Sequence, residues 1–170
     1  MSGNNLILIG MPGVGKSTVG VVLAKKLGYR FLDSDLAIQE RSGILLHEMI
    51  EELGNEGFHR TEEEVNCSLH PERTVIATGG SAVYGPKAMA HFAQIGTILY
   101  LKIGYGELRR RLGDLNERGV TMKQGQTLSA LLEEREPLYE KYAQITISCE
   151  GKSIREIVEE ITYEQKDNEK

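Results

Sequence analysis

The chain has 170 residues, 40% hydrophobic and 26% charged, a composition that suits one folded domain with an ordinary buried core. A formal net charge of −5 argues against a general nucleic-acid or membrane-surface partner, and the longest apolar runs are strand-sized, too short to cross a bilayer as a helix. The start, Met1-Ser-Gly-Asn-Asn5, has no basic stretch followed by an apolar one, so no secretory signal is read and a cytoplasmic location is expected.

The first apolar run, Leu6-Ile-Leu-Ile9, leads into Gly10-Met-Pro-Gly-Val-Gly15-Lys16-Ser17-Thr18 and then into a helical stretch ending near Leu27. Strand, glycine-rich turn and helix start in that order match the phosphate-binding pattern G-x-x-x-x-G-K-[ST]. Glycines permit positive φ, so the backbone across Gly13, Val14 and Gly15 and on to Thr18 can curl round a polyphosphate, helped by the positive end of the helix dipole. Lys16 is expected to reach the β- and γ-phosphates, and Ser17 to offer its hydroxyl to Mg²⁺. A nucleoside triphosphate is the expected ligand.

Further β-branched runs at residues 29–32, 74–77, 98–101 and 145–147 alternate with stretches of helical period. That alternation predicts an α/β fold with a mostly parallel sheet covered on both faces, which binds ligands at the C-terminal ends of its strands. The second run ends in Asp33-Ser-Asp35. Turn chemistry alone accommodates both aspartates, but beside a phosphate loop Asp33 can order Mg²⁺ through water and Asp35 can accept a hydrogen bond from an attacking hydroxyl. The third ends in Thr78-Gly79-Gly80-Ser81, which is either a tight turn or bare backbone that a substrate can approach closely.

After the fourth run come Arg109, Arg110 and Arg111, of which Arg111 is assigned to the nucleotide, on adenine or a phosphate. Residues 113–126 have the composition of a loop. Arg118 within it is either a solvated charge or the arginine of a lid that closes over the γ-phosphate. A helix is expected over 127–142, interrupted or kinked at Pro137. Its Arg135 either pairs with Glu133, Glu134 or Glu136 or aims its two-pronged guanidinium at a substrate carboxylate. A last helix over about 153–163 closes a single domain spanning 1–163, with 164–170 expected to be a disordered tail. Cys67 and Cys149 are far apart without metal-ligand spacing and read as free thiols.

Five segments taken together, Gly10 to Thr18, Phe31-Leu-Asp33-Ser-Asp35, Gly54-Asn-Glu-Gly-Phe58-His59-Arg60-Thr-Glu62, Ala77-Thr-Gly-Gly80 and Glu134-Arg135-Glu-Pro137-Leu-Tyr139, resemble the shikimate kinase family. The resemblance implies a P-loop NTPase fold of the nucleoside monophosphate kinase kind: a five-stranded parallel sheet of order 2-3-1-4-5, helices on both faces, and a mobile lid. It implies ATP- and Mg²⁺-dependent phosphorylation of the shikimate 3-hydroxyl, with a small hydroxylated molecule as substrate; separately, a monomer is expected. Carried over by position, Lys16 and Ser17 hold phosphate and metal, Asp33 supports the metal, and Asp35 binds substrate hydroxyls. Gly79 and Gly80 line the substrate pocket, Arg111 lies beside adenine, Arg118 is the lid arginine, and Arg135 binds the substrate carboxylate.

The chain departs from the family pattern in three places. Phe-Arg-x-x-Glu is expected, but His59 stands at the arginine position and the arginine follows as Arg60, about 100° round a helix. Both are kept as candidate substrate residues. Ser81 replaces a third glycine, and Gly119 replaces the proline after the lid arginine. The alternatives to shikimate are another hydroxylated metabolite, then a nucleotide acceptor, then a nucleotide-binding regulator without catalysis.

Overall fold

Leu6, Ile7, Leu8 and Ile9 are at most 3% exposed, and only a strand covered on both faces buries four consecutive apolar side chains in this way. They belong to β1 (Asn5–Ile9), the middle strand of the computed structural model, which describes residues 3–112 and 120–168. Chain order continues with α1 (Lys16–Leu27), β2 (Arg30–Asp33), α2 (Ser34–Ser42), α3 (Leu46–Cys67), β3 (Thr74–Ala77), a 3₁₀ turn (Ala82–Tyr84), α4 (Pro86–Ile95), β4 (Gly96–Lys102), α5 (Tyr105–Arg111), α6 (Leu128–Tyr142), β5 (Ile145–Ser148) and α7 (Ile154–Asn168).

The sheet order is β2-β3-β1-β4-β5 with every pair parallel, as the resemblance implied. Register then decides where chemistry sits. Leu8 pairs with Ala77 and Asp33 also pairs with Ala77, so the phosphate loop after β1, Asp33 at the end of β2 and Thr78 after β3 emerge side by side. Thr78 secures that edge by donating both its N–H (3.1 Å) and its hydroxyl (2.8 Å) to the Leu8 carbonyl.

Several boundaries differ from the sequence reading. β2 begins at Arg30 rather than Tyr29, and β4 is longer at both ends. α6 stays one helix across Pro137, because the carbonyl that the missing N–H leaves free belongs to exposed Glu133, where water can satisfy it. Leu131, Arg135 and Tyr139 consequently share one buried face. α7 runs on to Asn168, so the tail expected from residue 164 is helical as far as it is described; Glu164-Gln-Lys are good helix formers and nothing there breaks the helix. Of the expected lid, residues 120–126 lie against α3 and α6, with the Met122 carbonyl accepting from Asn55 Nδ2 at 2.8 Å. Residues 113–119, and with them Arg118, lie outside the described residues.

α3 is bent at Gly54, whose φ of 70° is not helical. The second half carries Phe58 into a small core with Ile38, Leu46, Met49 and Val65, separate from the main core around the sheet. That small core fixes the wall on which His59 and Glu62 stand. Both cysteines are free thiols, and among the described residues no helix is long and apolar enough to cross a membrane.

At the opposite sheet edge, Asn5 is 3% exposed and ties three strands together. Its Nδ2 donates to the carbonyls of Pro71 (2.7 Å) and Ile95 (2.9 Å), and its Oδ1 accepts from Thr74 N–H (3.0 Å). Asn5→Ala strands those buried groups. It should cost about 2–4 kcal/mol of unfolding free energy in urea titration while kcat stays at the wild-type value.

Candidate active site

The loop between β1 and α1 turns through left-handed φ values at Gly13 (86°) and Gly15 (102°), and so reaches Lys16 at the first turn of α1. Lys16 is 7% exposed, and its Nζ donates to the Gly10 carbonyl (2.6 Å) and the Met11 carbonyl (2.9 Å) of its own loop. Burial pushes its pKa down to about 8 against the pull of the Asp35 and Asp33 carboxylates. Ser17 Oγ donates to Asp33 Oδ2 (2.8 Å), while Asp33 Oδ1 accepts from the N–H groups of Asp35 (2.9 Å) and Leu36 (3.4 Å) as the N-cap of α2. Val14 is fully buried and its carbonyl accepts from Arg111 Nη1 (3.0 Å), whose Nη2 pairs with Glu107. An open cavity of about 420 Å³ runs along Gly13, Gly15, Lys16, Ser17 and Thr18 to Asp35, with Arg111 on its wall.

A second, nearly closed cavity of about 30 Å³ adjoins it and is lined by Asp35, Phe58, Gly79, Gly80, Ser81, Val120, Thr121 and Arg135. Asp35, Gly79, Gly80 and Pro12 belong to both walls. Burial, and then repulsion from Asp33, raise the Asp35 carboxyl to about 6, with Lys16 opposing. Glu62 is buried outright and raised further, to about 8, although the Ser81 hydroxyl donates to its Oε1 at 2.7 Å and favours the ionised form. Its Oε2 has no protein partner. The glycines are required by close approach: a Cβ on Gly79 would lie 2.6 Å from Asp35 Oδ1 and 2.9 Å from Glu62 Oε2, and one on Gly80 would lie 2.9 Å from Arg135 Nη1.

Arg135 is 1% exposed. Its Nη2 donates to both the carbonyl (2.9 Å) and the hydroxyl (3.0 Å) of Thr121, and its Nε donates to Tyr84 Oη (3.3 Å). It turns away from its neighbours in sequence: Glu134 holds Tyr84 Oη, Lys123 and Gln126, and Glu136 pairs with Lys102. His59 stacks on Tyr84, centroids 4.8 Å apart, with its Nε2 2.9 Å from Thr121 Oγ1. Burial, then the Arg135 charge, lowers its pKa, so His59 is neutral at pH 7.

Of the residues singled out from the sequence, the structure brings Gly13, Gly15, Lys16, Ser17, Thr18, Asp33, Asp35, Gly79, Gly80, Arg111 and Arg135 to the two joined cavities, with His59 one side chain behind. It does not bring Arg60, which is exposed: one step along α3 from half-buried His59, it faces solvent. Thr121 and Tyr84 had no signal in the sequence. Glu62 and Ser81 stood inside recognisable motifs, but their contact joins residues 19 apart and is visible only in three dimensions.

Comparison with known proteins agrees with this geometry. The Shikimate kinase family profile matches residues 12–166. The chain is 40% identical over 166 residues to the shikimate kinase of Synechococcus sp. (strain RCC307), covering 95% of this chain and 84% of that one. It superposes on the crystal structure of shikimate kinase from Aquifex aeolicus with a TM-score of 0.84 at 32% identity, covering 96% of this chain and 97% of that one. On shikimate kinase from Acinetobacter baumannii in complex with shikimate, the TM-score is 0.86 at 30% identity, covering 98% and 94% of the two chains. The matched segments run from the phosphate loop to the last helix, and the chain belongs to the shikimate kinase family.

Proposed function

We propose that the protein transfers the γ-phosphoryl group of ATP to the 3-hydroxyl of shikimate. The observation that carries this reading is the position of Asp35 in the shared wall of a phosphate-loop cavity and a closed pocket that ends in a buried arginine. A substrate held by its carboxylate on Arg135 has its ring hydroxyls directed back toward Asp35 and the open end of the phosphate loop. Arg135 supplies the planar pair of donors that a carboxylate takes.

In this reading Asp35, ionised at neutral pH but held near 6, accepts the hydrogen bond of the attacking hydroxyl and orients its oxygen. The new O–P bond forms as the bond to the β,γ-bridging oxygen breaks, ADP leaves, and the hydroxyl proton passes to Asp35 or the departing phosphate oxygens. Lys16 exchanges its two loop carbonyls for β- and γ-phosphate oxygens. Arg111 flanks the adenine, and Arg118, outside the described residues, is the lid arginine. Ser17 Oγ and Asp33 Oδ2 are hard oxygen donors side by side, a set that fits Mg²⁺ completed by phosphate oxygens and water. When bound, the ion neutralises charge on the β- and γ-phosphates. The chain acts as a cytoplasmic monomer on this small molecule, without nucleic-acid or membrane partners.

Neutral His59 favours a second reading, a related hydroxylated acid as acceptor. The acceptor pocket offers Arg135 as its one guanidinium among the described residues, since Arg60 is exposed. Incubating the protein with ATP and a panel of hydroxylated acids, with the phosphorylated product identified by mass spectrometry, separates the two. His59→Arg should lower the KM for shikimate by roughly 10-fold or more; an unchanged KM sets the second reading aside.

Asp35→Asn should lower kcat by about 10²- to 10⁴-fold while leaving the ATP Kd within about twofold. The same variant tests the electrostatics. The folded carboxyl, near 6, holds its proton more tightly than an ordinary aspartate at 3.8, so the ionised form costs stability above about pH 6, a cost that fades as the pH falls toward 4. Asp35→Asn should be more stable than wild type by about 1–2 kcal/mol at pH 7 and no more stable at pH 4. Equal stability at both values would show that the carboxyl bears no burial cost.

A further inference from the structure

The acceptor pocket is narrowed by its own chain. Its volume of about 30 Å³ accommodates a water or two. What fills it at the arginine end is Thr121, 4% exposed. The carbonyl and hydroxyl oxygens of that residue both lie on Arg135 Nη2, at 2.9 and 3.0 Å, and so present two acceptor oxygens to the guanidinium much as a carboxylate does. A guanidinium only donates, so the Thr121 hydroxyl accepts from Arg135, and the same oxygen lies 2.9 Å from Nε2 of neutral His59, the imidazole tautomer deciding which of the two donates. One hydroxyl thus satisfies two polar groups around the place where an acceptor's acid group has to go.

The segment bearing Thr121 is also held by Asn55 Nδ2 on the Met122 carbonyl (2.8 Å) and by Glu134, which pairs with Lys123 and accepts from Gln126. The Lys123–Glu134 pair beside it is largely exposed on the lysine side, and such pairs contribute little. On the far side of Thr121 lies a cavity of about 370 Å³, walled by His59, Tyr84, Met122, Lys123 and Glu134, which gives the displaced side chain somewhere to go. Acceptor and Thr121 compete for one site, and there is room for the loser.

We propose that Thr121 sets acceptor affinity as an internal competitor for Arg135. The inference rests on the reading that the acceptor's acid group binds Arg135. The pocket opens only when Thr121 leaves the guanidinium, so the apparent affinity of any acceptor is reduced by the fraction of molecules in which it has left. Thr121 takes no part in the transfer step, and kcat is set after it has moved.

The test compares acceptor KM, kcat and ATP KM in Thr121→Val and Thr121→Ser, using shikimate and its neutral carboxamide. Thr121→Val removes the hydroxyl and weakens the closed form, so the KM for shikimate should fall about 5- to 20-fold, with kcat and ATP KM unchanged. The carboxamide KM should fall by the same factor, because opening precedes either ligand. Thr121→Ser keeps the hydroxyl and should match wild type. If Thr121→Val does not fold, Thr121→Ala removes the same hydroxyl with less bulk and carries the same expectation. An unchanged or raised shikimate KM in the hydroxyl-free variant overturns the proposal, and a fall confined to the acid shows that the hydroxyl acts on bound substrate instead. Arg135→Ala separates the two levels of the argument. If it leaves shikimate affinity unchanged, the reading of Arg135 as the acid's partner fails; if it raises the shikimate KM while the hydroxyl-free variants leave it alone, only the competitor fails.

Discussion

Two cations and two acids share one wall of this protein, and their burial together is the condition for everything else in the site. Lys16, Glu62 and Arg135 are each no more than 7% exposed, and Asp35 feels the charge of Lys16. A single charge moved this far from water would cost several kcal/mol and would shed or take up a proton rather than remain charged. Lys16 is pushed down by burial and drawn back by Asp35, Asp35 is pushed up by burial and drawn back by Lys16, and Glu62 is pushed up by burial and drawn back by the Ser81 hydroxyl and then by Arg135. The balance leaves Asp35 ionised at neutral pH yet a better proton acceptor than a surface aspartate. Glu62, raised further to about 8, adds no further negative charge to those of Asp33 and Asp35 beside the incoming phosphate.

The nucleotide half of the site was legible in the sequence because it is local. A glycine pattern, a lysine and a serine within nine residues are bound to one another by loop and helix geometry wherever they occur, and the strand before them places the loop on the correct edge of a parallel sheet. Asp33 and Asp35 follow from the same rule one strand away. The acceptor half is assembled from α3, the turn after β3, the 120–126 segment and α6, and its decisive contacts link residues 14, 19, 51 and 62 apart. No periodicity reports such a contact. Arg60 shows the limit plainly: charge and proximity in sequence favoured it, and the helix turns it to solvent. Pro137 shows another, since whether a proline breaks a helix depends on which carbonyl it leaves free and what that carbonyl faces.

Polar neighbours in the acceptor pocket also do work that a family pattern does not specify. His59 brings no charge to the place where an arginine is expected, and Ser81 gives Glu62 a hydroxyl partner where a glycine gives none. Both changes replace an ionic or empty position with a neutral hydrogen bond.

Asp33 carries a consequence of another kind. One of its oxygens is the N-cap of the helix that begins with Ser34 and Asp35, and the other holds Ser17 in the phosphate loop. A carboxylate is a rigid triangle: its two oxygens cannot move independently, so a pull on one tilts the other. Whatever draws the Ser17 side of that triangle also turns the cap, and the cap aims the peptide that bears Asp35. The phosphate loop and the peptide that bears Asp35 are thereby tied to a single planar group.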